Sequence, residues 1–135
     1  MIDICVIIYP SSAVIIIWTV PNNNKVLAAH FDGAMNPLKD LIAQTDIDVV
    51  ESFSLREVGG DMTIEEAFAV WPNKAIVANI PAYFCQLDKK EIWKYLEDFF
   101  ARLPSRNFMF ELSENFPLPE LRRVLPVFAD FMNRQ

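Results

Sequence analysis

Val26-Leu27-Ala28-Ala29-His30-Phe31-Asp32-Gly33 is a short apolar run that closes on polar residues and a glycine. A strand buried on both faces reads this way, and His30, Asp32 and Gly33 mark its exit into a loop. The pattern recurs three times. Val49-Val50-Glu51-Ser52-Phe53 is followed by a Gly59-Gly60 turn, Lys74-Ala75-Ile76-Val77-Ala78-Asn79-Ile80-Pro81 carries Asn79 near its exit, and Asn107-Phe108-Met109-Phe110-Glu111-Leu112 carries Glu111. Each strand is followed by a helix signal. Asn36 is placed to cap a helix with Pro37 at its first position and Leu38, Leu41 and Ile42 on one face. Thr63 with Glu66, and Asp88 with Glu91, form capping boxes, in which each side chain satisfies an amide left free at a helix start. Ile92, Leu96, Phe99, Phe100 and Leu103 then recur at helical spacing. Leu121, Val124, Leu125, Phe128 and Phe131 do the same from about Pro119, with Pro126 expected to kink or shorten that helix.

Strand-then-helix alternation without a hairpin signal implies parallel strands and right-handed crossovers, an α/β fold. The spacing of His30, Glu51, Asn79 and Glu111 leaves room in each interval for a strand, a helix and two loops. A doubly wound sheet and a barrel both satisfy this, and the nucleotide-binding phosphate loops GxGxxG and GxxxxGK are absent. The chain has 135 residues, 53% of them hydrophobic, so it folds as one domain at most. A net charge of −6, without a compensating cluster of Lys and Arg, argues against a nucleic-acid partner. Cys5 and Cys85 follow no metal or disulfide spacing and are expected as free buried thiols.

Residues 1–24 stand apart. They are nearly uncharged, but Asp3 and Pro10-Ser11-Ser12 interrupt the run, no Lys or Arg precedes it, and β-branched residues dominate. Two short buried strands around a turn are expected rather than a membrane span, and the chain is expected to be cytoplasmic. A shifted reading frame or an internal start is another source for such a segment.

The segment Ala29-His30-Phe31-Asp32-Gly33, with Pro37-Leu38-Lys39-Asp40-Leu41-Ile42 and Asp46-Ile47-Asp48-Val49-Val50-Glu51-Ser52-Phe53, resembles the fifth and sixth units of uroporphyrinogen decarboxylase-like barrels. Asp61-Met62-Thr63-Ile64-Glu65-Glu66-Ala67 with Trp71, the strand ending in Asn79, and Ser113-Glu114-Asn115 before Pro117 and Pro119 resemble units six to eight. The resemblance covers Lys25 to about Phe131, and it implies that residues 25–135 are the C-terminal half of a (β/α)₈ TIM barrel, whose full length is roughly 250 residues. Residues 1–24 then form an added apolar segment, with a truncated or frame-disrupted gene product as the leading explanation and a genuine minimal protein as the runner-up. A half-barrel leaves unpaired strand edges, which implies self-association or pairing with the missing half.

The superfamily includes tetrapyrrole carboxy-lyases of porphyrin biosynthesis and zinc-dependent methyltransferases that work with corrinoid proteins or thiol acceptors on small-molecule substrates. A decarboxylase would carry a histidine after its last strand; here that loop reads Glu111-Leu112-Ser113-Glu114-Asn115. The methyltransferase zinc motif is His-x-Cys-Gly, which His30-Phe31-Asp32-Gly33 resembles with a carboxylate in place of the thiolate. The resemblance therefore implies a site for zinc or another divalent metal built from His30, Asp32 and Glu111 or Glu114, with Glu51 and Asn79 as catalytic or pocket residues. The plainer readings stand beside it. His30 could equally be a hydrogen-bonded rim histidine, Asp32-Gly33 a turn, Glu51 one partner of a salt bridge, and Asn79 a backbone-satisfying amide. Two functional classes follow, an enzyme half and a non-catalytic self-associating half-barrel.

Overall fold

A computed structural model of the chain describes the backbone of residues 3–8 and 14–19, and residues 26–104, 107–111 and 116–134 with their side chains. One six-stranded sheet runs in chain order, with β1 (Asp3–Ile8), β2 (Val14–Thr19), β3 (Ala28–His30), β4 (Val49–Phe53), β5 (Ala75–Asn79) and β6 (Phe108–Glu111) as neighbours. The last four are parallel, and each is followed by a helix: α1 (Lys39–Ala43), α2 (Ile64–Val70), α3 (Lys89–Arg102) and α4 (Leu118–Met132). This is the α/β half of a (β/α)₈ barrel. The N-terminal segment supplies strands, as expected: β1 pairs antiparallel with β2, and β2 pairs antiparallel with β3 at Ile17 and Ala29. The edge that β3 would otherwise leave open is therefore occupied, while the Pro10-Ser11-Ser12 turn lies outside the described residues.

Both capping boxes form. Thr63 Oγ1 accepts from the Glu66 amide while the Glu66 carboxylate accepts from the Thr63 amide, and Asp88 and Glu91 exchange the same pair of bonds. The first helix differs from expectation. Asn36–Leu38 form a 3-10 turn in which Asn36 makes no side-chain cap, and the α-helix begins only at Lys39. Leu41 is exposed and only Ile42 of that helix is buried, since five residues are too few to present a broad apolar face. Pro126 neither stops nor shortens α4, which continues to Met132. A helix normally breaks at such a residue, but Val124, Val127, Phe128 and Phe131 bury one continuous stripe across it, and tertiary packing overrides local propensity.

The core lies between the sheet and the helices. One part gathers Val50, Phe53, Trp71, Ile76, Ala78 and Phe99; the other joins Ile92 and Leu96 of α3 to the buried face of α4. Trp71 stands edge-on to Phe53 with ring centres 6.2 Å apart, and its indole N–H donates to the Lys39 carbonyl at 2.9 Å. Lys74, which the sequence reading assigned no role, is buried and donates from Nζ to the carbonyls of Thr45 and Ile47, at 2.8 and 2.9 Å.

Strand β4 is irregular. Val50 lies opposite Ile76 and Phe53 opposite Ala78, so three steps along β4 match two along β5. The extra residue is absorbed at Ser52, whose φ of 63° is left-handed, a costly conformation for a residue with a Cβ. Phe53→Ala is expected to cost about 3–5 kcal/mol in urea unfolding. Met109→Ala, at a position 58% exposed, should stay within about 0.5 kcal/mol of the parent.

Candidate functional site

In a parallel sheet, residues in register on adjacent strands turn their side chains to the same face. His30 is in register with Glu51, and Asn79 with Glu111. Ala29, Val50, Ile76 and Ala78 face the helices, so alternation sends His30, Glu51 and Glu111 to the opposite face, at the carboxyl end of the parallel strands. In barrels of this architecture the active site sits there.

His30 Nδ1 lies 2.5 Å from Glu51 Oε2, with both side chains about one-third exposed. When Nδ1 is the donor in this bond, the Nε2 lone pair is left available. Glu111 comes within hydrogen-bonding range of Glu51. Burial chiefly, and then the bond to Glu51 and its charge, push the Glu111 carboxyl up to about 7, against a smaller downward pull from the Ser52 amide. Glu111 Oε1 is buried and has no partner among the described residues. The arrangement is a carboxyl of raised pKa beside a second carboxyl that is bonded to a histidine, with three side chains on three strands.

The other expected site residues sit differently. Asp32 Oδ1 accepts from Ser54 Oγ at 2.6 Å, and Ser54 Oγ in turn accepts from the Gly33 amide at 3.0 Å, so this carboxylate ties two strand-exit loops together. Asn79 is buried, and its carboxamide bonds to Ser52. Glu114 lies outside the described residues. Among the described residues, no three His, Cys, Asp or Glu side chains come together to hold a metal. His30 Nδ1 bonds Glu51 and Asp32 Oδ1 bonds Ser54, so the two residues belong to separate networks.

Sequence reasoning missed Ser52 and Ser54. Both are buried hydroxyls flanking Phe53, and a Ser-Phe-Ser run inside an apparent strand was the available signal. Gly60 supports the same loop, because a Cβ there would come within 1.8 Å of the Ser54 carbonyl oxygen. Glu66, the capping-box residue of α2, also pairs with Arg56, and Glu65 pairs with Arg102.

No known family profile, curated protein or solved structure matches the chain. Among the described residues, no helix is long and apolar enough to cross a membrane. The class defined by fold and rim is a half (β/α)₈ barrel with a histidine and two carboxyls at its mouth.

Because the folded-state value of Glu111 lies above the ordinary 4.5, its stabilising contribution is fully present below that pH and is lost as pH rises through about 7. Thermal unfolding followed across this window should show the parent losing more stability than Glu111→Gln, whose amide does not titrate. Parallel curves would show that Glu111 is not held protonated.

Proposed function

We propose that the chain is the C-terminal half of a uroporphyrinogen decarboxylase-like enzyme, and that its rim cluster handles the proton during methyl transfer to a thiol. The observation that carries this reading is the convergence of His30, Glu51 and Glu111 at the carboxyl ends of three parallel strands. A thiol is a poor nucleophile until it loses its proton. Glu51, holding the Nδ1 proton of His30, leaves Nε2 to accept the thiol proton. The thiolate then forms the new sulfur–carbon bond as the methyl carbon leaves its donor, which by the family resemblance is a corrinoid carried by a partner protein or a methylated small molecule. Protonated Glu111 lowers the charge beside Glu51 and so keeps the pair compact. This proton step draws on His30, Glu51 and Glu111 alone, while Asp32 bonds Ser54. On this reading the enzyme works in the cytoplasm.

One observation favours a second reaction within the same superfamily. A carboxyl titrating near 7 can deliver its proton to the carbon left behind by departing carbon dioxide, so Glu111 would serve as the acid of a carboxy-lyase.

The missing half supplies the rest of the site and covers an open flank. No strand pairs with the outer edge of β6 among the described residues. Beside it lies an apolar groove of about 390 Å³ bordered by Met109, Phe110, Leu125, Phe128, Ala129 and Met132. A further β/α unit, from a complementary chain, would pair with that edge and fill the groove. A second copy of this chain is the competing occupant, and it corresponds to the non-catalytic class.

Mixing the chain with a separately expressed N-terminal half of a related methyltransferase is expected to give thiol-dependent demethylation of methylcobalamin. His30→Ala and Glu51→Gln should each lower the rate by about 10²–10⁴, the usual worth of a general base. A complex that forms without turnover sinks the enzyme reading. Leu125→Glu, which places a charge in the groove, is expected to abolish complex formation in size-exclusion chromatography while leaving the far-ultraviolet circular dichroism unchanged.

A further inference from the structure

Ser52 is buried, lies between Glu51 and Phe53, and has a left-handed backbone. L-residues avoid that conformation unless their surroundings hold them in it. The surroundings here include Asn79, on the neighbouring strand and itself 2% exposed. Its Nδ2 donates to the Ser52 carbonyl at 3.3 Å and to Ser52 Oγ at 3.1 Å, while Ser52 Oγ donates to Asn79 Oδ1 at 3.4 Å. Only a carboxamide offers donor and acceptor together in this reach; an aspartate would face the carbonyl with oxygen alone.

We propose that Asn79 is a positioning residue: its carboxamide holds the Ser52 bulge, and the bulge sets the Glu51 side chain against His30 and Glu111. The inference goes beyond the proton-handling reading while resting on the same cluster. A regular β4 would pair each residue with one on β5 and continue strict alternation. Phe53 would then fall on the same face as Glu51 and leave the core, or the strand would shift and carry Glu51 out of register with His30. The bulge lets Glu51 keep the mouth and Phe53 keep the core. Asn79 grips the bulge by backbone and hydroxyl at once, one residue from Glu51.

The test is proton nuclear magnetic resonance of the full chain, reading the His30 Nδ1–H that is bonded to Glu51. In the parent this proton is expected at low field and protected from exchange. Asn79→Leu, which conserves volume but removes every polar contact of the side chain, should raise its exchange rate at least tenfold or erase the signal. Val77→Ala weakens the same strand without touching Ser52 and should leave the signal in place. Adding Ser52→Gly to Asn79→Leu should recover it, because glycine adopts positive φ unaided. Retention of the protected signal in Asn79→Leu overturns the proposal. Should that variant not fold, Asn79→Asp, which cannot donate to the Ser52 carbonyl as a carboxylate, tests the same grip, and an unchanged exchange rate there overturns it equally. A parent without the protected signal would instead count against the His30–Glu51 pair, and so against the functional reading beneath.

Discussion

A pleated strand turns successive side chains to opposite faces, yet β4 must bury both Val50 and Phe53 on the helix side while presenting Glu51 at the mouth. Three residues apart, Val50 and Phe53 cannot share a face in a regular strand. The added residue at Ser52 resolves the conflict, at the cost of a left-handed backbone at a residue that has a Cβ. Much of the molecule follows from that local distortion. Phe53 reaches Trp71, Trp71 anchors the start of α1 through the Lys39 carbonyl, and the helix layer closes over the sheet. On the other face, Glu51 meets His30 and Glu111.

The rim is electrostatically frugal. Burial, and then the neighbouring Glu51, raise the Glu111 carboxyl, since two carboxyls in a partly dry site repel when both ionise, while Glu51 bonds the imidazole. Asp32 stands outside that cluster, where its carboxylate accepts from the Ser54 hydroxyl. A histidine with an oriented tautomer beside a carboxyl that titrates near neutrality is suited to moving protons, which is why proton handling, rather than metal binding, carries the functional reading.

The antiparallel pair β1 and β2 occupies the β3 edge and makes β1 one outer strand of the sheet; at the other end no strand among the described residues pairs with the outer edge of β6, which lies next to an apolar groove. Exposed Met109, Leu125 and Met132 border that groove, and their apolar surface in water favours association.

Much was legible in the sequence because it rests on local chemistry. Capping boxes at Thr63 and Asp88 need only residues three apart, and apolar runs separated by helical stripes are enough to specify four parallel β/α units and to place positions 30, 79 and 111 at strand ends; Glu51 falls inside β4, level with His30. The same local reading misplaced the start of the first helix, because propensity alone does not say how few residues the layer can accommodate, and it overrated Pro126, whose effect the buried stripe of α4 outweighs. Which polar partners meet was decided only by the tertiary structure. His30 pairs with Glu51, Asp32 with Ser54 and Asn79 with Ser52 because neighbouring strands bring distant stretches of chain into register, and a one-residue bulge, invisible to periodicity, fixes which face each side chain takes.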